Sequence, residues 1–441
     1  MLRAPGARAR FRAEKRANPV GKDMTKTLSV AFIALCAAAP ALAAEPDGLT
    51  LPPGFHASVV AEGLGSIRHM ALRGNDLYVS TRHAATAPSV GIIALRLGPD
   101  HKPVQTEHIA GVDQGTGIRI HKGMLYAATG TGVVRFALGD GLVPTGAPET
   151  IVDGLAATNH PIAFDGRGGL YVSVDGGGGA NNCPDPKTPK DAKPVGLKPC
   201  PLLETRGGIW RFDENKPGQT LADGTHFATG IRNSSAMDFH AGDGLYAAWH
   251  GRDGTNKGWP ELVTAAEDDA IADEMFRVTD GTDMGWPYTY WDGVRKIRLT
   301  APEYGGDGKT VVTDAKYAAP VAAFAPLRPA VLDMAFYGGG RFPSAWRSGA
   351  FVAMHGGGAD GGVLPGGHGG YNVVFVPFSG RKAGTPVVFA DGFAGPGPAD
   401  KQVKAAAYRP VGVAVAADGS LYVADSNKGR IWRISYGETA N

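Results

Sequence analysis

The sequence predicts an all-β fold, a six-bladed β-propeller of four-stranded blades closed by pairing its N- and C-terminal strands. Three observations predict it. First, 65 glycines and 32 prolines occupy more than a fifth of the 441 residues. That density of breakers excludes a helical bundle or long coiled coil and calls for many short elements joined by turns. Second, hydrophobic residues still make up 43%, enough to bury a large core and to exclude wholesale disorder. Third, one pattern recurs six times: a short apolar strand, a Gly/Asp turn, then a strand of the Leu-Tyr-Val type.

Blade one reads His69-Met70-Ala71-Leu72 with Leu77-Tyr78-Val79, and blade two Ile118-Arg119-Ile120 with Leu125-Tyr126-Ala127. Blade three is Ile162-Ala163-Phe164 with Leu170-Tyr171-Val172, and blade four Met237-Asp238-Phe239 with Leu245-Tyr246-Ala247. Blade five pairs 333–336 with Ala350-Phe351-Val352, and blade six 412–415 with Leu421-Tyr422-Val423. Third strands follow at 91–97, 132–138, 208–212, 275–278, 371–378 and 430–436, and fourth strands at 107–112, 149–155, 225–231, 320–324 and 386–393. Blade six lacks a fourth strand of its own, and 55–64, ahead of blade one, reads like the missing piece. Such closure limits exposed strand edges. A two-sheet sandwich with irregular repeats is the alternative. The surplus length lies in loops 176–206, 252–320 and 356–370, where long loops in a compact domain tend to carry function.

Residues 1–43 stand apart. From Met24, a basic Lys26, an apolar run 28–39 and the small-residue stretch Ala41-Leu42-Ala43 read as a secretory signal peptide, with cleavage after Ala43 or Ala44. The apolar core is too short to span a bilayer. The expected organisation is therefore an upstream extension plus signal at 1–43 and a single propeller domain at 44–441, exported to the periplasm or outside the cell. This stretch also explains the net charge of +2, because it holds eight Lys/Arg against two acids. The remainder is mildly acidic, and nothing in it draws nucleic acid or an anionic membrane. Beyond Cys36 only Cys183 and Cys200 remain, bracketing a Pro/Lys-rich loop. They suit one disulfide in an oxidising compartment, and a zinc pair is the weaker option because no close second ligand flanks either.

In a propeller the residues leading into the innermost strands ring one channel mouth. Here they are Arg68-His69, Thr116-Gly117, Asn159-His160, Arg232-Asn233, Arg328-Pro329 and Arg409-Pro410. Four arginines converging on one axis repel unless an anion sits between them, so a polyanionic ligand is expected. The alternative is that they splay into solvent or pair with loop carboxylates. Other motifs are missing: there is no C-x-x-C-H haem site, no dinucleotide or phosphate loop, and no G-x-S-x-G elbow. The acidic stretch 267–274 reads as a solvated face before a calcium site.

Several longer segments resemble the secreted pyrroloquinoline-quinone (PQQ)-dependent sugar dehydrogenases of the glucose/sorbosone dehydrogenase family. They are Thr205-Arg206-Gly207-Gly208-Ile209-Trp210-Arg211-Phe212-Asp213, Ala228-Thr229-Gly230-Ile231-Arg232-Asn233, His250-Gly251-Arg252-Asp253 and Met284-Gly285-Trp286-Pro287-Tyr288. Pro302-Glu303-Tyr304-Gly305-Gly306-Asp307-Gly308, 371–378, and Arg409-Pro410-Val411-Gly412 with 429–434 continue the likeness over nearly the whole chain beyond the leader. The resemblance implies a six-bladed propeller that oxidises a sugar or a sorbosone-like aldehyde. A histidine takes the hydroxyl proton while hydride passes to PQQ, and electrons leave to a separate acceptor such as a cytochrome or quinone.

Carried over by residue, Arg232 and Asn233 match the pair on the quinone oxygens, with Arg232 also catalytic, and Arg409 matches a ligand of the cofactor carboxylates. His250 and Arg328 fall at further cofactor-binding positions, Arg328 where the family has histidine. Gly251 and Arg252 match positions whose carbonyls hold calcium (Ca2+). The catalytic histidine is expected at His160, because Ala157 takes roughly the family's usual place. The family's His-Gly-Ser-Trp-Asn-Arg becomes His355-Gly356-Gly357-Gly358-Ala359-Asp360, so contacts there must differ. The runner-up reading is a non-catalytic propeller used for binding or scaffolding. A calcium-dependent lactonase is weaker, since no Glu/Asn/Asp metal set assembles.

Overall fold

A computed structural model describes residues 43–44, 48–82, 91–109, 111–112, 115–156, 159–177, 180–357 and 369–437. The expected leader, Cys36, Ala157 and 358–360 lie outside them. The chain divides into Met1–Ala39 and Pro40–Asn441, and the second unit holds every described residue.

Six sheets, antiparallel through their four blade strands, form the blades, and all but blade six run outward in sequence order. Blade one is Ile67–Arg73, Asp76–Thr81, Gly91–Leu97 and Pro103–Ile109; blade two is Ile118–His121, Met124–Ala128, Val133–Ala137 and Glu149–Val152. Blade three is Ile162–Phe164, Gly169–Val174, Gly208–Asp213 and Thr225–Thr229, extended by a parallel Thr282–Asp283. Blade four is Ser234–His240, Gly244–Trp249, Asp273–Val278 and Ala322–Phe324; blade five is Val331–Phe336, Gly349–Met354, Asn372–Ser379 and Val387–Ala390. Blade six is Pro410–Val415, Leu421–Asp425, Ile431–Tyr436 and, from the N-terminal side, Phe55–Ala61. The first strands touch one another in ring order, and blade six meets blade one, so the propeller closes as the repeat predicts.

Two expectations shift. The fourth strand of blade one spans Pro103–Ile109 instead of 107–112, because a tight turn pairs Leu97 directly with Pro103. The long loop 252–320 is structured in part: Thr289–Asp292 and Ile297–Thr300 form a hairpin. Cys183 and Cys200 are joined as a disulfide with Cα atoms 5.7 Å apart. No helix among the described residues is long and apolar enough to cross a membrane.

Side chains alternate along each strand, so both faces of a blade pack against neighbouring blades. The largest such layer sits at the closure seam. Phe55 packs edge-on against Phe342 (centroids 4.8 Å apart) and Phe389 (5.0 Å), beside Trp346 and Tyr436. Nearer the axis, buried carboxylates staple one inner strand to the next. Asp238 Oδ2 accepts from the Phe336 amide at 2.8 Å, and Asp333 Oδ2 accepts from the Val413 amide at 3.0 Å. Each also caps the amide of the residue after it. These amides are left over where the inner strands face the channel, and a buried N–H without an acceptor is costly.

Phe55→Ala should destabilise the protein by about 3–5 kcal/mol, read as a lower midpoint in chemical denaturation. A loss confined to local fraying of 55–61, with the global midpoint unchanged, would mean that the seam does not hold the ring.

Candidate active site

At one end of the channel the six blades enclose a cavity of about 210 Å³. Blade one supplies Arg68, His69 and Arg82, blade two Thr116, and blade three Asn159. Blade four adds Asn233, Ser235 and His250, blade five Leu332 and His355, and blade six Val411. Two local features place Arg68. The pairing of the first two strands slips between Ile67 and Met70, and this bulge lets consecutive Arg68 and His69 both reach the cavity. Gly412 then allows blade six to close against it, since a Cβ there would stand 2.5 Å from the Arg68 carbonyl oxygen.

The expected ring of four arginines divides into two pairs. Arg68 is half-buried, and its Nε is buried with no acceptor among the described residues. Burial first, and then the charges of Arg82 and Arg409, push its guanidinium down to about 9. Arg82 is also lowered by burial, with Asp175 opposing. Arg409 bonds to the carbonyl oxygens of His355 (3.1 Å) and Gly356 (2.9 Å) and lies 5.6 Å from the Tyr371 ring centroid. Burial lowers it too, against Tyr371 and Asp425.

Arg232 and Arg328 instead meet loop carboxylates. Arg232 donates from Nη1 to the Gly251 oxygen at 2.6 Å and from Nη2 to Asp253 Oδ2 at 2.8 Å. Arg328 lies within 3.9 Å of Asp253, 3.5 Å of Asp268 and 3.7 Å of Asp269. Burial would raise the Asp253 carboxyl, but Arg232, His250 and Arg328 hold it below the ordinary carboxylate value.

Three histidines line the cavity, each tethered through Nε2. His250 Nε2 is 2.6 Å from the Val331 oxygen and His69 Nε2 2.9 Å from the Leu332 oxygen. A carbonyl only accepts, so in the neutral ring both protons sit on Nε2 and both Nδ1 atoms carry a lone pair. His69 Nδ1 is buried without a partner among the described residues. Burial pushes the His69 ring below its ordinary value, with Asp333 opposing. His355 Nε2 lies 2.7 Å from Ser426 Oγ. Burial, then Arg409, Arg68 and His250, push it well below the usual histidine range. Beside them runs an amide chain: Thr116 Oγ1 donates to Asn159 Oδ1 at 2.8 Å, and Asn159 Nδ2 donates to Asn233 Oδ1 at 3.2 Å. With its oxygen engaged, Asn233 has its Nδ2 donors left for a ligand.

His160 is fully buried, with Nδ1 3.0 Å from the Ser173 oxygen, and it is not among the side chains lining the cavity. Its predecessor Asn159 takes that place. Arg252 turns away, bonding Glu303 through Nη2 at 2.8 and 3.0 Å and Thr255 through Nε at 2.9 Å. Arg82 escapes a reading of first strands because it follows a second strand, Asp76–Thr81.

For a polycarboxylate quinone these residues fit: among the described residues the partly buried guanidiniums of Arg68, Arg82 and Arg409 have no hydrogen-bonded carboxylate, and donors and lone pairs line the same cavity. The cavity is small beside the ~300–1,000 Å³ of typical ligand sites, so it suits the carboxylate-bearing edge of such a molecule. Calcium at Gly251 and Arg252 fits poorly, because a cation on the Gly251 oxygen would stand against the Arg232 guanidinium that donates to it. No cluster of three His, Cys, Asp or Glu among the described residues could hold a metal ion.

An NHL repeat pattern matches residues 408–434, the first three strands of blade six. No curated protein matches the chain in sequence. Solved structures similar to it include the holo PQQ domain of pyranose dehydrogenase from Coprinopsis cinerea, with 16% identity, 89% of this chain and 98% of that chain covered, and a TM-score of 0.66. A calcium structure of a family AA12 carbohydrate-active enzyme from Trichoderma reesei aligns at 17% identity, 90% and 98% coverage and a TM-score of 0.67. The PQQ-bound aldose sugar dehydrogenase from Streptomyces coelicolor aligns at 20%, 87% and 99%, with a TM-score of 0.53. The first and third of these are named as a PQQ domain of a pyranose dehydrogenase and a PQQ-bound sugar dehydrogenase, the kind of protein that the sequence segments resemble, and at such identities the likeness shows the fold.

Arg68→Met should raise the melting temperature of the ligand-free protein by a few degrees, because it removes a half-buried charge whose Nε has no acceptor among the described residues and which faces two other guanidiniums. The same variant should weaken binding of a polycarboxylate anion. Differential scanning fluorimetry with and without the anion checks both; a lower melting temperature would show that Arg68 is already neutralised.

Proposed function

We propose that the protein is an oxidoreductase of the periplasm or cell exterior that oxidises a sugar, or a related aldehyde in its hydrate form, with PQQ. The observation that carries this reading is the convergence of Arg68 and Arg82 on a wall that also presents His250 and Asn233, with Arg409 close enough to act on Arg68 by its charge; among the described residues no side-chain carboxylate is hydrogen-bonded to any of the three guanidiniums. A bound orthoquinone supplies what no side chain here can, an acceptor for a hydride with its electron pair. The protein's own part is to bind, orient and move a proton. Arg68, Arg82 and Arg409 hold the carboxylates. Asn233 Nδ2 donates where negative charge grows on an oxygen.

The substrate hydroxyl proton passes to His250 Nδ1, the lone pair fixed by the bond from Nε2 to Val331. Asp253 steadies the resulting imidazolium by its charge. Arg232 supports this wall from behind through Gly251 and Asp253. In this reading His160 serves as a positioning residue that anchors the lead into blade three through Ser173. Electrons leave to a separate acceptor.

Apo-protein supplied with PQQ should bind it in an absorbance titration and reduce a dye when aldoses or sugar aldehydes are added. Absence of binding would defeat the reading; binding without turnover across the panel would favour a scaffold derived from such enzymes. His250→Ala should lower kcat by about 10²–10⁴-fold with cofactor affinity largely kept. If His160→Ala, still folded, produced that loss while His250→Ala did not, the base would be His160.

A further inference from the structure

The disagreement over calcium points to a definite property of this chain. We infer that the cofactor site works without a divalent metal, the guanidiniums of Arg232 and Arg328 standing where a cation would otherwise be needed. This inference rests on the PQQ reading for its purpose, but its geometry is independent of it.

Three acids, Asp253, Asp268 and Asp269, gather beside the lead into blade five, and oxygen ligands of this kind are what calcium takes. Here a side-chain cation already fills the place. Arg328 reaches all three at 3.5–3.9 Å, and Arg232 takes the second oxygen of Asp253 at 2.8 Å. The free oxygens are further reduced, because Asp268 Oδ1 accepts from the Thr255 amide at 2.8 Å. Glu303, the nearby alternative, is bound by Arg252 through both oxygens.

The backbone is bent to make this arrangement. Leu327, Arg328 and Ala330 have φ of 72°, 46° and 58°, left-handed values that are unfavourable for residues with a Cβ. The Leu327 amide donates to the backbone carbonyl oxygen of Asp269 at 2.9 Å. Strain of this kind persists only where its surroundings enforce it, and what it achieves is delivery of Arg328 into the acidic nest. A calcium ion on the Gly251 oxygen would also stand next to the Arg232 guanidinium that bonds that oxygen, with like charges in direct opposition. Arg68, Arg82 and Arg409 add to the positive field on the cavity side.

Two measurements test this. In the first, calcium is titrated calorimetrically into chelator-treated apo-protein, beside Arg328→Gln and Asp253→Asn. The wild type should show no saturable calcium binding that Asp253→Asn removes, whereas Arg328→Gln, which empties the nest, should gain calcium binding and a calcium-dependent rise in melting temperature. Saturable binding by the wild type that Asp253→Asn abolishes overturns the inference. In the second, PQQ is titrated in EDTA and in excess calcium. Equal dissociation constants support the inference, and a loss of about tenfold or more in EDTA overturns it. Failure to bind PQQ in either buffer counts against the cofactor reading and leaves the calcium titration to decide this one.

Discussion

The fold brings guanidinium groups to its axis and neutralises only some of them. Burying a cation without a partner is among the more expensive things a protein can do, because the lost hydration is not returned by any local contact. Arg68 carries that cost most plainly: it is half-buried beside two further arginines, and its buried Nε has no acceptor among the described residues. Everything around it is arranged to keep it there. The bulge in blade one turns it inward, Gly412 lets blade six close over its backbone, and the closure seam at Phe55 fixes both blades in the ring. Local sacrifice of this kind is a recognised mark of sites organised for a ligand. A polycarboxylate molecule would return the missing interaction energy, which makes the unsatisfied charge a source of affinity.

The same axis shows how polar groups are tolerated where they are satisfied. Asp238 and Asp333 take amides from neighbouring inner strands, while His69 and His250 each donate to a carbonyl of blade five. The channel is thus cross-laced by side chain to backbone bonds between blades. These bonds stiffen the wall on which the histidine lone pairs are presented. Burial pushes the Asp238 carboxyl up, with Arg119 opposing.

Much of the fold was legible because it is written six times. Each blade announces itself through an apolar run, a Gly/Asp turn and a Leu-Tyr-Val strand, and the missing fourth strand of blade six is visible as a surplus at 55–64. The site was legible only where it depends on repeat position. Arg68 and Arg409 follow from leading into inner strands. That Arg232 and Arg328 are paired does not, since their partners Asp253, Asp268 and Asp269 come from a loop whose path no periodicity dictates. His160 shows the sharpest limit. Neighbouring residues in an extended chain point to opposite sides, so a one-residue difference decides whether Asn159 or His160 reaches the cavity. Where a bulge interrupts the alternation, as at Arg68 and His69, both reach it, and a bulge leaves little trace in sequence.

Blade six is assembled from both ends of the propeller: Phe55–Ala61 lies against Ile431–Tyr436. Pairing so distant in sequence is entropically costly to form, and a chain that relies on it folds slowly. During synthesis the strand made first must wait unpaired for the strand made last. Arg68 and Arg409, from the first and last blades, become neighbours only when that wait ends. The pairing of these two guanidiniums therefore cannot exist in a partly made or partly opened chain, and their mutual influence becomes a report that the ring has been completed.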